Sequence, residues 1–127
     1  MLTRAAFGLD AHPVHVECHL AGGLPGTTVV GLAEGAVKEA RDRVKSAIRK
    51  SGFHYPTNHI TLNLAPSHLT KSGTAFDLPI AIAILAASEQ IPTDALADTE
   101  FVGELSLFGD LRETSNLLAS AIACDSA

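Results

Sequence analysis

From Leu78 to Ala87 every residue is apolar. As a helix this run leaves no polar face for solvent, so the pattern predicts a central helix covered on all sides by the rest of the fold. The surrounding stretch, residues 62–88, reads as strand, loop and buried helix, and the remaining elements are arranged around it. Two starts are open: Thr74 with Asp77 fits a capping box, whereas Pro79 suits the first turn of a helix that Asp77 itself caps. Both place Asp77 near the positive end of the helix dipole, with capping as its expected role. A carboxylate at Ile82 is expected to cost several kcal/mol and to unfold the chain. The apolar run is far shorter than the roughly 20 residues of a bilayer span and ends in Ser88-Glu89-Gln90, so no membrane segment is expected.

Upstream, residues 3–9, 12–20 and 27–32 are short apolar or alternating runs, separated by Asp10-Ala11 and by Gly22-Gly23-Leu24-Pro25-Gly26. They read as an antiparallel beginning. In the second run Val14, Val16, Cys18 and Leu20 face one side, and His15, Glu17 and His19 the other. From Glu34 to Ser51 the period becomes helical: Val37, Ala40, Val44, Ala47 and Ile48 form one apolar stripe, and Gly52 fits the position just past the helix end. Residues 58–64 alternate again, with Ile60, Leu62 and Leu64 on one side, and feed through Ala65-Pro66 into the central loop and helix in one βαβ-like passage.

After Ile91-Pro92 a polar linker leads into residues 101–107, where Phe108-Gly109-Asp110 can turn a hairpin. The last segment, Asn116 to Ala123, reads as a helix start with Leu117, Leu118, Ala121 and Ile122 apolar. The chain is expected to be part of something longer. There is no internal repeat and no low-complexity segment.

The 127 residues fit a single domain, 1–127, and 46% hydrophobic against 18% charged residues excludes a disordered chain. A formal charge of −5 argues against the whole surface attracting nucleic acid but leaves room for a local basic patch. Cys18 and Cys124 match neither a disulfide framework nor a metal-binding pair, which makes a reducing cytoplasm the default. His15 and His19 lie four apart, but on a strand that spacing separates them by roughly 13 Å, too far for one ion. No metal site is expected.

Six of the nine Lys and Arg residues fall in the Glu34–Ser51 helix, and Lys38, Arg41, Lys45 and Arg49 share a stripe beside the apolar one. Such a stripe can meet DNA phosphates or a neighbouring subunit. It can equally be a solvated face, since Glu34–Lys38 and Glu39–Arg43 are i,i+4 pairs in the favourable order. No aromatic residue interleaves with these cations, so stacking on single strands gets no support here. Lys71-Ser72-Gly73-Thr74 is not a phosphate loop, because its glycine follows the lysine instead of preceding it. ATP is not expected to bind there.

Five segments then carry a resemblance: Gly-Leu-Pro-Gly at 23–26, Val-Lys-Glu-Ala-Arg-Asp-Arg-Val at 37–44, Asn-Leu-Ala-Pro at 63–66, Phe-Asp-Leu-Pro-Ile-Ala at 76–81 and Val-Gly-Glu-Leu at 102–105. Together they resemble the N-terminal domain of the YifB and ComM family. The resemblance implies a cytoplasmic bacterial AAA+ ATPase, often labelled magnesium-chelatase-like, whose competence members are implicated in branch migration of DNA during natural transformation. It implies that the motor, with ATP and magnesium as its cofactors, lies beyond Ala127, and that the full-length protein forms a homo-oligomeric ring.

It also implies a fold. The family's first domain is similar to the proteolytic domain of Lon, an α/β (α+β) arrangement with a mixed sheet and helices packed on it around a buried central helix. On that similarity the protease serine falls at Ala75 and the lysine at Leu118. Alanine and leucine supply neither nucleophile nor base, so peptidase activity is not expected. Ser72 beside Lys71 is the remaining candidate pair, but adjacent side chains diverge. The expectation is a non-catalytic domain serving assembly or DNA contact; the alternatives are an active Ser-Lys peptidase and a genuine magnesium chelatase subunit.

Overall fold

The computed structural model describes residues 2–7, 10–32, 34–65, 76–94, 96 and 99–112. The alternating segments become strands β1 (Leu2–Phe7), β2 (Asp10–Ala21), β3 (Gly26–Val30) and β4 (His59–Ala65), joined into one mixed sheet of order β1-β2-β4-β3. β1 pairs antiparallel with β2, and β2 antiparallel with β4, Cys18 facing Leu62. β3 departs from the expected antiparallel beginning. It lies beyond β4 and runs parallel to it, Val29 facing Leu62. A parallel neighbour needs a crossover of a dozen or more residues, and helix α1 (Glu34–Lys50) between β3 and β4 supplies it.

The period of two decides which face is covered. Val14 and Val16 on β2, with Ile60, Leu62 and Leu64 on β4, are buried and form the core with Val44, Ala47 and Ile48 of α1. Helix α2 (Asp77–Ala87) completes it with Ile80, Ala81, Ala83, Ile84 and Leu85. His15, Glu17 and His19 point from the opposite face into solvent. Among the described residues the sheet is dressed by helices on one side, the arrangement that alternating strands favour.

α1 ends as the sequence predicts. Gly52 has φ +87°, its N–H donates to Arg49 O (3.2 Å), and the Phe53 N–H donates to Ile48 O (3.1 Å), closing a Schellman motif. α2 ends in the same motif without a glycine. The Glu89 N–H donates to Ala86 O (3.1 Å) and the Gln90 N–H to Leu85 O (2.9 Å), with Glu89 at φ 59°. The Gln90 amide then clasps the segment after α1: Oε1 accepts from the His54 N–H (2.7 Å) and Nε2 donates to His54 O (2.6 Å).

Two expectations for α2 change. The helix starts at Asp77 with Phe76 as its cap residue, and no side chain caps it. Nor is it covered on every side: Leu78, Ile82 and Ala86, one stripe at i, i+4 and i+8, are only half-buried. Two helices on one sheet face cannot enclose each other, and Leu78 and Ile82 of this stripe line a shallow groove with Phe53, Leu105 and Gly109.

The predicted hairpin is present as β5 (Glu104–Leu105) and β6 (Leu111–Arg112), paired antiparallel. Its turn is held by Ser106, whose N–H donates to Asp110 O (2.8 Å) and whose Oγ accepts from the Phe108 and Asp110 N–H groups (3.2 and 3.1 Å). The predicted segment 116–123 lies outside the described residues.

Two stability outcomes follow. Ile84, 1% exposed, is the position where a carboxylate cannot reach water, so Ile84→Asp is expected to abolish the cooperative thermal transition. Ile82→Asp, on the half-exposed stripe, is expected to melt cooperatively at a cost of order 1 kcal/mol; equal losses at the two positions would contradict the placement of the stripe. Glu89→Gly removes a side chain from a left-handed position and is expected to raise stability by up to about 1 kcal/mol in denaturant titration, whereas a loss would mean that Glu89 is unstrained.

Candidate nucleic-acid interface

One carboxylate fixes where α1 sits. Asp77 is 1% exposed, and its two oxygens take the Arg43 guanidinium in a fork, Nε to Oδ2 at 2.6 Å and Nη2 to Oδ1 at 3.0 Å. Oδ2 also accepts the Leu105 N–H of β5 at 3.1 Å. Burial pushes the Asp77 carboxyl above its ordinary range, against the pull of these donors, and the bond to Asp77 holds the Arg43 guanidinium above its own. A buried group with a shifted pKa is a usual candidate for catalysis. Here the carboxylate takes three protein donors, from Arg43 and Leu105, and so joins α1, α2 and β5. Glu39 adds the expected i,i+4 contact to Arg43 at 3.8 Å, on the surface.

With Arg43 turned inward, Arg41, Lys45 and Arg49 lie toward the opposite side of α1. Arg41, Lys45 and Arg49 line a cleft of about 470 Å³ whose far wall is Pro25, Gly26 and Thr27 from the start of β3 and Tyr55 to Asn58 from the segment before β4. Three of the four stripe residues are thus brought to one concavity. Lys38, the fourth, is exposed on α1 outside this lining. Like charges at i,i+4 destabilise a helix by about 0.2–0.5 kcal/mol per pair, so Arg41, Lys45 and Arg49 stand together against the preference of α1 itself. Asp42 also lines the cleft, 3.7 Å from Arg41 in a surface pair of little strength.

Tyr55 was not legible in the helix pattern, because it follows α1 and reaches the cations only through the fold. Its ring lies under the Lys45 ammonium, 5.5 Å from Nζ to the centroid, and its hydroxyl bonds Thr27 Oγ1 at 3.2 Å. Burial holds the phenol above its ordinary range. The wall so formed is an aromatic ring, a hydroxyl and the Asn58 amide, facing three cations.

The other candidates are placed as follows. His15 and His19 lie on the exposed face of β2, and among the described residues no group of three or more His, Cys, Asp or Glu is arranged to hold a metal ion. Burial pushes the Cys18 thiol up to about 11, which makes it a poor nucleophile at neutral pH. Among the described residues no helix is long and apolar enough to cross a membrane. Ala75 and Leu118, at the protease positions, lie outside the described residues, as do Lys71 and Ser72.

Residues 16–127 match the family described as subunit ChlI of Mg-chelatase. Over 119 residues the chain is 57% identical to the uncharacterised protein YifB of Escherichia coli, and over 121 residues 50% identical to the competence protein ComM of Haemophilus influenzae. The chain belongs to the ChlI family and, within it, to the YifB/ComM group. An uncharacterised Mycobacterium tuberculosis protein is 39% identical over 119 residues. These alignments cover 94 to 95% of the chain but 24% of each relative, so the chain spans about a quarter of their length.

The YifB/ComM resemblance gains a physical content from Asp77. The segments 37–44, 76–81 and 102–105 supply Arg43, Asp77 and Leu105, the three members of the buried node. Removing one partner of such a pair leaves a charge without compensation, typically at a cost of 3–5 kcal/mol. Arg43→Ala is therefore expected to destabilise the chain by about 3 kcal/mol, the low end because its side chain is partly exposed, while Glu39→Ala should change stability by less than about 1 kcal/mol. Denaturant melts of the two variants check this, and equal effects would place the weight of the node elsewhere.

Proposed function

We propose that this chain is a non-catalytic, Lon-like domain of a ring-forming AAA+ motor that acts on DNA, and that it contacts DNA through the basic side of α1. The observation that carries the reading is the alignment of Arg41, Lys45 and Arg49 along one wall of an open cleft in a chain of net charge −5. Two further facts support it: the Haemophilus relative is named a competence protein, and the matched relatives are about four times as long as the chain, leaving room for a motor with ATP and magnesium. Alanine and leucine at 75 and 118 support the absence of peptidase chemistry.

A second reading, magnesium insertion into a tetrapyrrole, is favoured by the family description alone. Magnesium insertion that depends on the full-length protein would establish it over the DNA reading.

Reversing the charge of Lys38, Arg41, Lys45 and Arg49 to Glu in the full-length protein is expected to weaken DNA binding several-fold without lowering the melting temperature. Each lost phosphate contact should flatten the dependence of log K on log salt by about 0.7–0.9. Fluorescence anisotropy across a salt series measures both quantities. An unchanged affinity and slope would return the stripe to a solvated helix face.

A further inference from the structure

We propose that the cleft beside α1 takes a single DNA strand and not a duplex, with Arg41, Lys45 and Arg49 on successive phosphates and one base against Tyr55. This rests on the DNA contact inferred above and adds to it the strandedness and the residues that set it. Helical rise places residues four apart about 6 Å from one another along the axis, an interval suited to the successive phosphates of an extended strand. The three cations lie in a concavity of about 470 Å³, within the range that encloses a small ligand such as one nucleoside and far too small for a double helix.

The far wall has the chemistry of a base site. Tyr55 offers a ring face on which any base can stack, and Thr27 and Asn58 offer donors and acceptors at the base edge. In the free protein the Lys45 ammonium stands over that ring. An incoming phosphate draws the ammonium toward itself, and the base takes the ring face that it leaves. Asp42, beside Arg41, opposes the anion and keeps the empty cleft from being wholly cationic.

Tyr55 is the chain's one tyrosine and there is no tryptophan, so intrinsic emission reports on this wall alone. The chain is titrated at low salt with three end-labelled DNA probes of equal length: oligothymidylate, an abasic strand and a duplex. Oligothymidylate is expected to quench the emission with a salt slope of about −2, from three contacts at −0.7 each. The abasic strand should bind, read by anisotropy, roughly five-fold or more weakly and without quenching. The duplex should leave the emission unchanged.

Tyr55→Ala should weaken oligothymidylate binding roughly five-fold or more while leaving the abasic strand unaffected, and Tyr55→Phe should retain both affinities. Equal affinity for single strand and duplex, with unchanged emission, would overturn the single-strand site and leave the DNA contact standing. Binding of none of the three probes would overturn both.

Discussion

The fold depends on a carboxylate that water does not reach. Asp77 stands at the start of the central helix, where the sequence suggests a cap, yet its oxygens are taken by Arg43 and the Leu105 N–H. The helix start is satisfied from elsewhere. The Leu78 N–H donates to Gly103 O (3.0 Å), Pro79 has no N–H to satisfy, and the Ile80 N–H reaches Phe76 O (3.0 Å) as the first intrahelical bond. Gly103 can approach this closely because it lacks a Cβ, which would stand 3.2 Å from Leu78 Cβ and 3.1 Å from Leu111 Cδ2. The hairpin and the helix start thus close on each other, and the charge pair locks α1 across them.

That lock has a rotational consequence. A helix whose one inward arginine is held by a fork cannot turn about its axis without breaking two charge-assisted bonds. Ser46 adds a bond from its Oγ to Leu107 O at 2.6 Å, and the Schellman motif at Gly52 fixes the exit. The side of α1 away from Asp77 is therefore presented at one angle, and Arg41, Lys45 and Arg49 face the cleft together. Stability on one side of the helix and exposure of charge on the other are products of the same constraint.

Much of this was legible in the chain. Alternation at 14–20 and 60–64 gave the correct inward faces, because a period of two leaves little choice of register once one face is buried. The apolar stripe of α1 and its glycine stop were legible for the same local reason. The place of β3 was not, since a short alternating run does not say which strand it joins, and the answer comes from the α1 crossover. The coverage of α2 was misjudged because an all-apolar run carries no moment: it says the helix needs cover without saying which stripe will lack it. Half of the cleft could be read from the cation spacing on α1, whereas Tyr55, Thr27 and Asn58 come from separate segments and meet the cations only in the fold.

The electrostatics limit what such a cleft can do by itself. With a net charge of −5 the chain as a whole repels a polyanion at long range, but at about 0.1 M salt fields between exposed charges fade within roughly 10 Å. What remains at contact is the local set of three cations and an aromatic ring, which on the proposed reading would give a weak and salt-sensitive association. The ring proposed above would change the arithmetic without any new contact. On that proposal, a strand held by one cleft would meet the next at an effective concentration set by the spacing between subunits, and weak sites would combine into useful avidity. Weak single sites would also release easily, as the proposed motor acting on DNA requires.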